Sequence, residues 1–372
     1  MLPKVASAFA LLIGCSLLAV PVVAQPSIHQ INELEIDALA SVASDLEVGE
    51  RLLVEQARLI DGEEPVALDL VRFEVFTEDA EIHIHGEDGE TIESPPNNAY
   101  FKGEVVGDDE SLITLSVQEN GEIFGLASYD GKISILEGSS ADGILHGYRV
   151  DPNSLRGTSF ECGNEQLDQG LGDLGLDEAP LTDAPTAGGT PGVLAVNNTA
   201  RVAIETDFEF YTIWNNTTNL VNYVGNLFAY MSGLYEGQIN VNLVVSYLSI
   251  YTTSADPWVE TSALCGLYEF GRYWNQNRTG VSRTIAHFLS GKGSGAGFAW
   301  IGVLCRAPFN TTASGCIGVS GTGSYGGDYG FTGGLRGNFN PSNRPSCGTS
   351  MVPATRSVTT STRRTPTVIT TS

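Results

Sequence analysis

Two periods of apolar spacing alternate along this chain. From Gln25 to about Val150, apolar positions recur at every second residue in short runs, RLLVEQARLI, LDLVRFEVF, EIHIHGEDGE, SLITLSV and GEIFGLASYDGKISILEG. Turn residues separate the runs, and the pattern predicts a β-rich domain. From Ala200 the spacing changes. A strand, ARVAIETDFEFYTIW, leads into a stretch where Leu220, Val224, Leu227, Met231 and Leu234 fall three and four residues apart, on one face of a helix. NVNLVVSYLSIYT then reads as a strand and Asp256-Pro257-Trp258 as a turn. A second helix follows, holding Leu264, Leu267, Tyr268, Tyr273 and Trp274. Two buried strands come next, TIAHFL (284–289) and GFAWIGVLC (297–305), joined by a turn in which Gly291, Gly293, Gly295 and Gly297 supply positive φ. The order strand, helix, strand, helix, strand, strand predicts an α/β (α+β) fold, a mixed sheet with packed helices. The glycine-rich stretch 313–339 has few apolar anchors and reads as a long surface loop.

Composition adds bounds. A length of 372 residues suggests two domains, and 42% hydrophobic with 9% aromatic residues suffices for real cores. A net charge of -25 argues against nucleic acid and anionic membrane surfaces as partners. Residues 1–24 carry Lys4, an apolar run and a small-residue Val22-Val23-Ala24 end, the pattern of a secretory signal. Leu12-Ile13-Gly14-Cys15 offers a lipoprotein signal instead, but the apolar run continues past it. No other run reaches the roughly 20 apolar residues of a membrane span. The expectation is an exported protein, secreted or periplasmic. Residues 163–196 are acidic and interrupted by Pro180, Pro185 and Pro191, as a linker is. This divides the chain into a signal (1–24), a β-rich domain (25–162), the linker (163–196), a second domain (197–346) and a Thr- and Ser-rich tail (347–372).

Candidate chemistry is sparse. Export permits disulfides, yet Cys162, Cys265, Cys305, Cys316 and Cys347 are odd in number. Cys305 and Cys316 are close enough in sequence to bridge. His83 and His85 alternate with Ile82 and Ile84, so both imidazoles share one strand face; a polar face is favoured over a shared metal. His29, His146 and His287 are isolated, and His287 sits inside an apolar strand as a core residue.

The wording of several stretches is more particular. AHFLSGK, a glycine-rich link and a strand ending in Cys resemble the catalytic domain of reprolysin-like (adamalysin-type, metzincin) zinc metallopeptidases. The DPW turn before a helix ending near YWN is similar to the same group, and Tyr100–Gly138 resembles its propeptide. The resemblance implies a zincin-like catalytic domain behind a β-rich propeptide, zinc as cofactor and polypeptide substrates. It implies that Ala299, Trp300, Ile301 and Gly302 form the edge strand along which the substrate backbone lies. It also implies that Cys162, followed by Gly163, is a cysteine switch that fills an open zinc position in a zymogen; half of a disulfide is the alternative.

One part is missing. Zincins of this type need HExxHxxxxxH, two His one helical turn apart, a Glu base between them and a third His beyond. No HExxH occurs in this chain, which ends instead in CGTSMVPATRSVTTSTRRTPTVITTS. If each codon is rebuilt from the third base of one residue and the first two of the next, Ala354 to Thr359 permit His-Glu-Val-Gly-His. Continued to Ile369, the shifted frame permits HEVGHNFNSPHTHCY, with the third His at the metzincin spacing. The expectation is that residues after about Ser346 are a frameshifted, disordered tail, that Cys347 is an artefact, and that the chain as written binds no zinc. The rival expectation is a non-catalytic pseudoprotease or binding module on the same scaffold.

Overall fold

The computed structural model describes residues 27–139, 143–150, 161–162, 198–293, 295–304 and 307–337. The first eight-stranded sheet comprises β1 (Ile28–Glu33), β2 (Arg51–Ala57), β3 (Val66–Phe73), β6 (Ala99–Val105), β7 (Asp108–Val117), β8 (Glu122–Tyr129), β9 (Lys132–Ser139) and β10 (Ile144–Arg149), in that spatial order. The alternating runs produce it as the pattern predicts. In β7, Ile113 and Leu115 enter one apolar layer, while Thr114 and Ser116 face the other way. A helix that alternation did not reveal, α1 (Ile36–Asp45), covers the first of these faces with Ile36, Leu39 and Ala43, spaced three and four apart.

The second eight-stranded sheet crosses the expected domain boundary. Its members are β4 (Phe76–Gly86), β5 (Gly89–Glu93), β11 (Glu161–Cys162), β12 (Asn198–Thr206), β13 (Val241–Tyr251), β14 (Ile285–Leu289), β15 (Ala296–Ala299) and β18 (Tyr329–Gly333). They lie in the order β11, β15, β18, β14, β12, β13, β4, β5. The hairpin β4–β5 from the N-terminal part thus continues the sheet of the C-terminal part, with β4 parallel to β13.

Both expected helices form. The first, α3 (Thr217–Ile239), starts at Asn216, whose side chain accepts from Asn219 N, and ends at Asn240 in the left-handed region at φ 55°. It buries far more than one stripe, because every residue from Leu220 to Gly233 is buried. One side packs on Val202, Ile204, Val245 and Leu248 of the second sheet. The other carries Tyr230 against Leu126, Ile133 and Ile135 of the first. The helix α4 (Ala263–Asn277) covers the far face of the second sheet with Leu267, Phe270 and Trp274. The result is five layers: α1, sheet, α3, sheet, α4.

Five expectations need correction. The strand predicted from Ala200 to Trp214 stops at Thr206, because the Asp207 carboxylate accepts from Phe210 N at 2.8 Å and opens the one-turn helix α2 (Phe208–Tyr211). TIAHFL and GFAWIGVLC are not adjacent strands. The stretch read as surface loop folds instead into β17 (Gly321–Gly326), paired with β16 (Phe309–Ala313) just ahead of it, and β18, which inserts between β14 and β15. Glycine permits that insertion: a Cβ on Gly330 would stand 2.5 Å from His287 Nδ1. In the linking turn, among the described residues, only Gly293 has positive φ, at 77°; Gly297 is in β15, and a Cβ on Gly291 would meet the Glu209 carbonyl carbon at 2.6 Å. Finally, Cys316 bonds Cys265, not Cys305. Closeness in sequence misled here, since α4 packs against β17 and carries Cys265 to the loop before it; Cys305 lies outside the described residues.

Candidate substrate-binding edge

The expected edge strand is shorter than its apolar run. Ala299 ends β15, opposite Gly330 of β18. Trp300 continues the pairing by one bond, N to Tyr329 O at 3.1 Å, and turns its ring inward against Tyr268 and Phe309. Ile301 is 38% exposed, and Gly302 at φ 68° terminates the strand. Of the four residues, two are thus held in the sheet and two form the bend beyond it. The outer side of β15 is occupied: Glu161 and Cys162 of β11 run parallel to it, paired with Ala296 and Gly297. Sequence reading placed Cys162 near the catalytic machinery without foreseeing this pairing.

Beside this edge, the SGK of AHFLSGK ties the strand ends together. Asp207, fully buried at the end of β12, accepts from Ser290 Oγ and, at 2.9 Å, from Gly291 N. Burial pushes its carboxyl upward despite these donors. Lys292 Nζ donates to Trp258 O at 2.6 Å and lies 3.2 Å from Glu209 and 3.5 Å from Asp256. Asp256 accepts from Phe208 N at 2.9 Å and Trp258 N at 3.0 Å, so the DPW turn joins the same network. One ammonium, set among two carboxylates and a carbonyl, fastens three loops at the C-terminal ends of parallel strands.

A second polar group lies across the sheet. Glu205 is 0% exposed, accepts from Trp274 Nε1 at 2.9 Å and is pushed up to about 7 by burial. Near it, the His83 ring lies tilted against Tyr247 at 4.6 Å between centroids and the His85 ring stacks on Tyr251 at 4.4 Å. Both imidazoles do share one strand face. His83 bonds Glu90 at 2.6 Å and Glu81 at 3.0 Å, while His85 bonds Ser249 at 3.0 Å. The Arg278 guanidinium stands 3.4 Å from His85 Nε2, placing a cation where a shared metal would need to sit.

A catalytic zinc needs three protein donors converging on one point, with a fourth position open. All five histidines are among the described residues, and each is engaged elsewhere. His29 faces Glu50 at 3.7 Å and His146 faces Asp61 at 3.1 Å. His287 bonds Thr332 Oγ1 at 2.9 Å, and burial pushes it down to about 4, the behaviour of the core residue expected. Among the described residues, the converging donors are Glu260, Cys265 and Cys316, within 4.8 Å of one another, but both sulfurs are spent in the disulfide. The described residues of this chain therefore do not fit a catalytic zinc.

A family model described as metallo-peptidase family M12, of reprolysin type, matches residues 196–366. No curated protein matches. Among solved structures, metalloproteinase II from Bacteroides fragilis is similar over 84% of each chain, at 12% identity and a TM-score of 0.40. Residues 196–366, which include everything from β12 to β18, are thus similar to metallo-peptidase family M12 of the reprolysin type.

Proposed function

We propose that this is the chain of a secreted zinc endopeptidase zymogen, acting on polypeptides, whose zinc-binding segment is lost from the reading frame after about Ser346. In this reading residues 25–162 are the propeptide and 197–346 an incomplete catalytic domain, and the chain as written is inactive. The observation that carries the zymogen reading is the pairing of Glu161 and Cys162 with Ala296 and Gly297. A segment just ahead of the linker runs along the strand that would hold a substrate backbone, and strand addition at a sheet edge is a general mode of peptide capture. A chain that lays its own backbone there blocks that edge until the segment leaves.

The inactive reading rests on donor chemistry. Neither the two-histidine helix nor its Glu occurs in the sequence, and the histidines that do occur are committed elsewhere. The family match runs to residue 366, twenty residues past the proposed change of frame. Resequencing the gene around the Cys347 codon decides the matter directly. Inserting one base, or deleting two, ahead of the shifted stretch should encode HEVGHNFNSPHTHCY and give one zinc per chain with chelator-sensitive cleavage of casein. The uncorrected chain should do neither. A corrected gene that encodes no HExxH, or an uncorrected chain that cleaves casein in a chelator-sensitive way, would sink the proposal.

A further inference from the structure

We propose that residues 27–150 and 198–337 form a complex that outlives the connection between them. Cutting the chain within 163–197 leaves the two pieces bound, and the surface that holds the N-terminal piece is the open edge of β13 together with one side of α3.

The edge comes first. β13 presents one side to β12 and the other to β4, in parallel register from Val245 opposite Phe76 to Tyr251 opposite His85. Val245 N donates to Val75 O at 2.7 Å and Thr252 N to His85 O at 3.0 Å, extending the ladder at both ends. Without the hairpin, β13 would be an eleven-residue edge strand, the kind of edge that seeks another strand. On one face of the joint, the two histidine rings seat on Tyr247 and Tyr251. On the other, Phe73, Val75, Ile82 and Tyr100 belong to the same apolar core as Val224, Leu227 and Phe228 of α3.

The helix side repeats this anatomy. Asn222 accepts from Asn98 Nδ2 at 2.8 Å and donates to Gln118 at the same distance, and Ser116 donates to Asn226 at 2.6 Å. Lys102 pairs with Glu236, and Arg201 with Asp79 at 2.8 Å. Gly225 is matched to this contact, since a Cβ there would lie 2.2 Å from Tyr100 Oη. An apolar centre shared by both pieces, ringed by satisfied polar pairs, is how permanent interfaces are built. One cut in the connecting segment removes none of these contacts. Release needs a second event that parts β4 from β13, such as a cut at the exposed Glu87-Asp88 turn of the hairpin.

The inference does not depend on the peptidase reading, because its readout is mass and not activity. A recognition sequence for a site-specific protease is placed within 163–197 of the full chain. The chain is cut to completion, judged on a denaturing gel, and run by size exclusion with light scattering at about 1 µM. One peak of the uncut mass is expected, resolving into two only in denaturant. Two separate peaks, or loss of the C-terminal piece to aggregates while the N-terminal piece elutes alone, overturns the proposal. The double variant His83→Ala, His85→Ala, cut in the same way, should dissociate at a concentration at least about tenfold higher. An unchanged dissociation in that variant overturns the assignment of the β13 edge.

Discussion

Removing the disulfide between Cys265 and Cys316 should destabilise the protein by an amount that loop closure sets. The bond joins residues 51 apart in sequence, fixing the first turn of α4 to the loop before β17. Closing a loop of that length removes about 14 cal/mol/K from the unfolded chain, or about 4 kcal/mol at 25 °C. Cys265 is 6% exposed, so Ala at both positions gives up little packing beyond the sulfurs. For a chain of this size the loss corresponds to a melting temperature lower by about 5 °C. The assay is calorimetry and urea unfolding of wild type and of the Cys265→Ala, Cys316→Ala variant, each with and without dithiothreitol. The two proteins should differ when oxidised and converge when reduced. Peptide mapping under non-reducing conditions should recover a Cys265–Cys316 cross-link. A difference under about 1 kcal/mol in oxidised samples, or a cross-link from Cys316 to Cys305, refutes the reasoning.

Three further outcomes follow from the packing. Gly225→Ala should cost about 1–3 kcal/mol, because its methyl meets the Tyr100 hydroxyl; Tyr100→Phe, which deletes that oxygen, should restore part of the loss in a double-mutant cycle, and strict additivity would refute the contact. Glu205, with its folded pKa raised to about 7, is disfavoured in its charged form, so its contribution is intact below about pH 4.5 and is lost as pH rises through 7. Glu205→Gln keeps an acceptor for Trp274 and should therefore gain on the order of 3 kcal/mol over wild type at pH 8 while matching it at pH 4.5; parallel pH profiles of the two proteins would contradict this. Lys292→Met should lower the unfolding free energy from urea titration by about 2–4 kcal/mol, since Asp256 is left buried without its cation, and a change under about 0.5 kcal/mol would remove the ammonium from the account.

What the sequence disclosed was governed by whether a residue's partner is local. The helices α3 and α4 were legible because their apolar spacing is a property of a few turns, and β13 because its run is long. Burial of α3 on both sides was not, since Asn222 and Asn226 read as polar until Gln118 and Ser116 reach them from another sheet. β18 was hidden for the opposite reason. Its YGFTG carries few side chains to signal a strand, and that emptiness is what lets Gly330 approach His287. Asp207 broke a run that looked continuous, through a capping bond that composition does not show. At the candidate edge, Ala299 and Trp300 were placed by their apolar run, whereas the bend at Ile301 and Gly302 and the parallel lie of Cys162 come from long-range pairing.

The order in which the second sheet is assembled sets a timing problem for a growing chain. β4 ends at Gly86, but its parallel partner β13 ends at Tyr251. At about 5–20 residues per second, the hairpin waits roughly ten to thirty seconds after its synthesis before a strand exists to receive it. The first sheet closes early, since β6 to β10 are sequential antiparallel neighbours, and α3 then emerges to find one of its two walls already standing. The hairpin is therefore a tenon cut long before its mortise. A ribosome pause or an early chain end between residues 93 and 241 would leave β4 with an open edge and no native strand to close it.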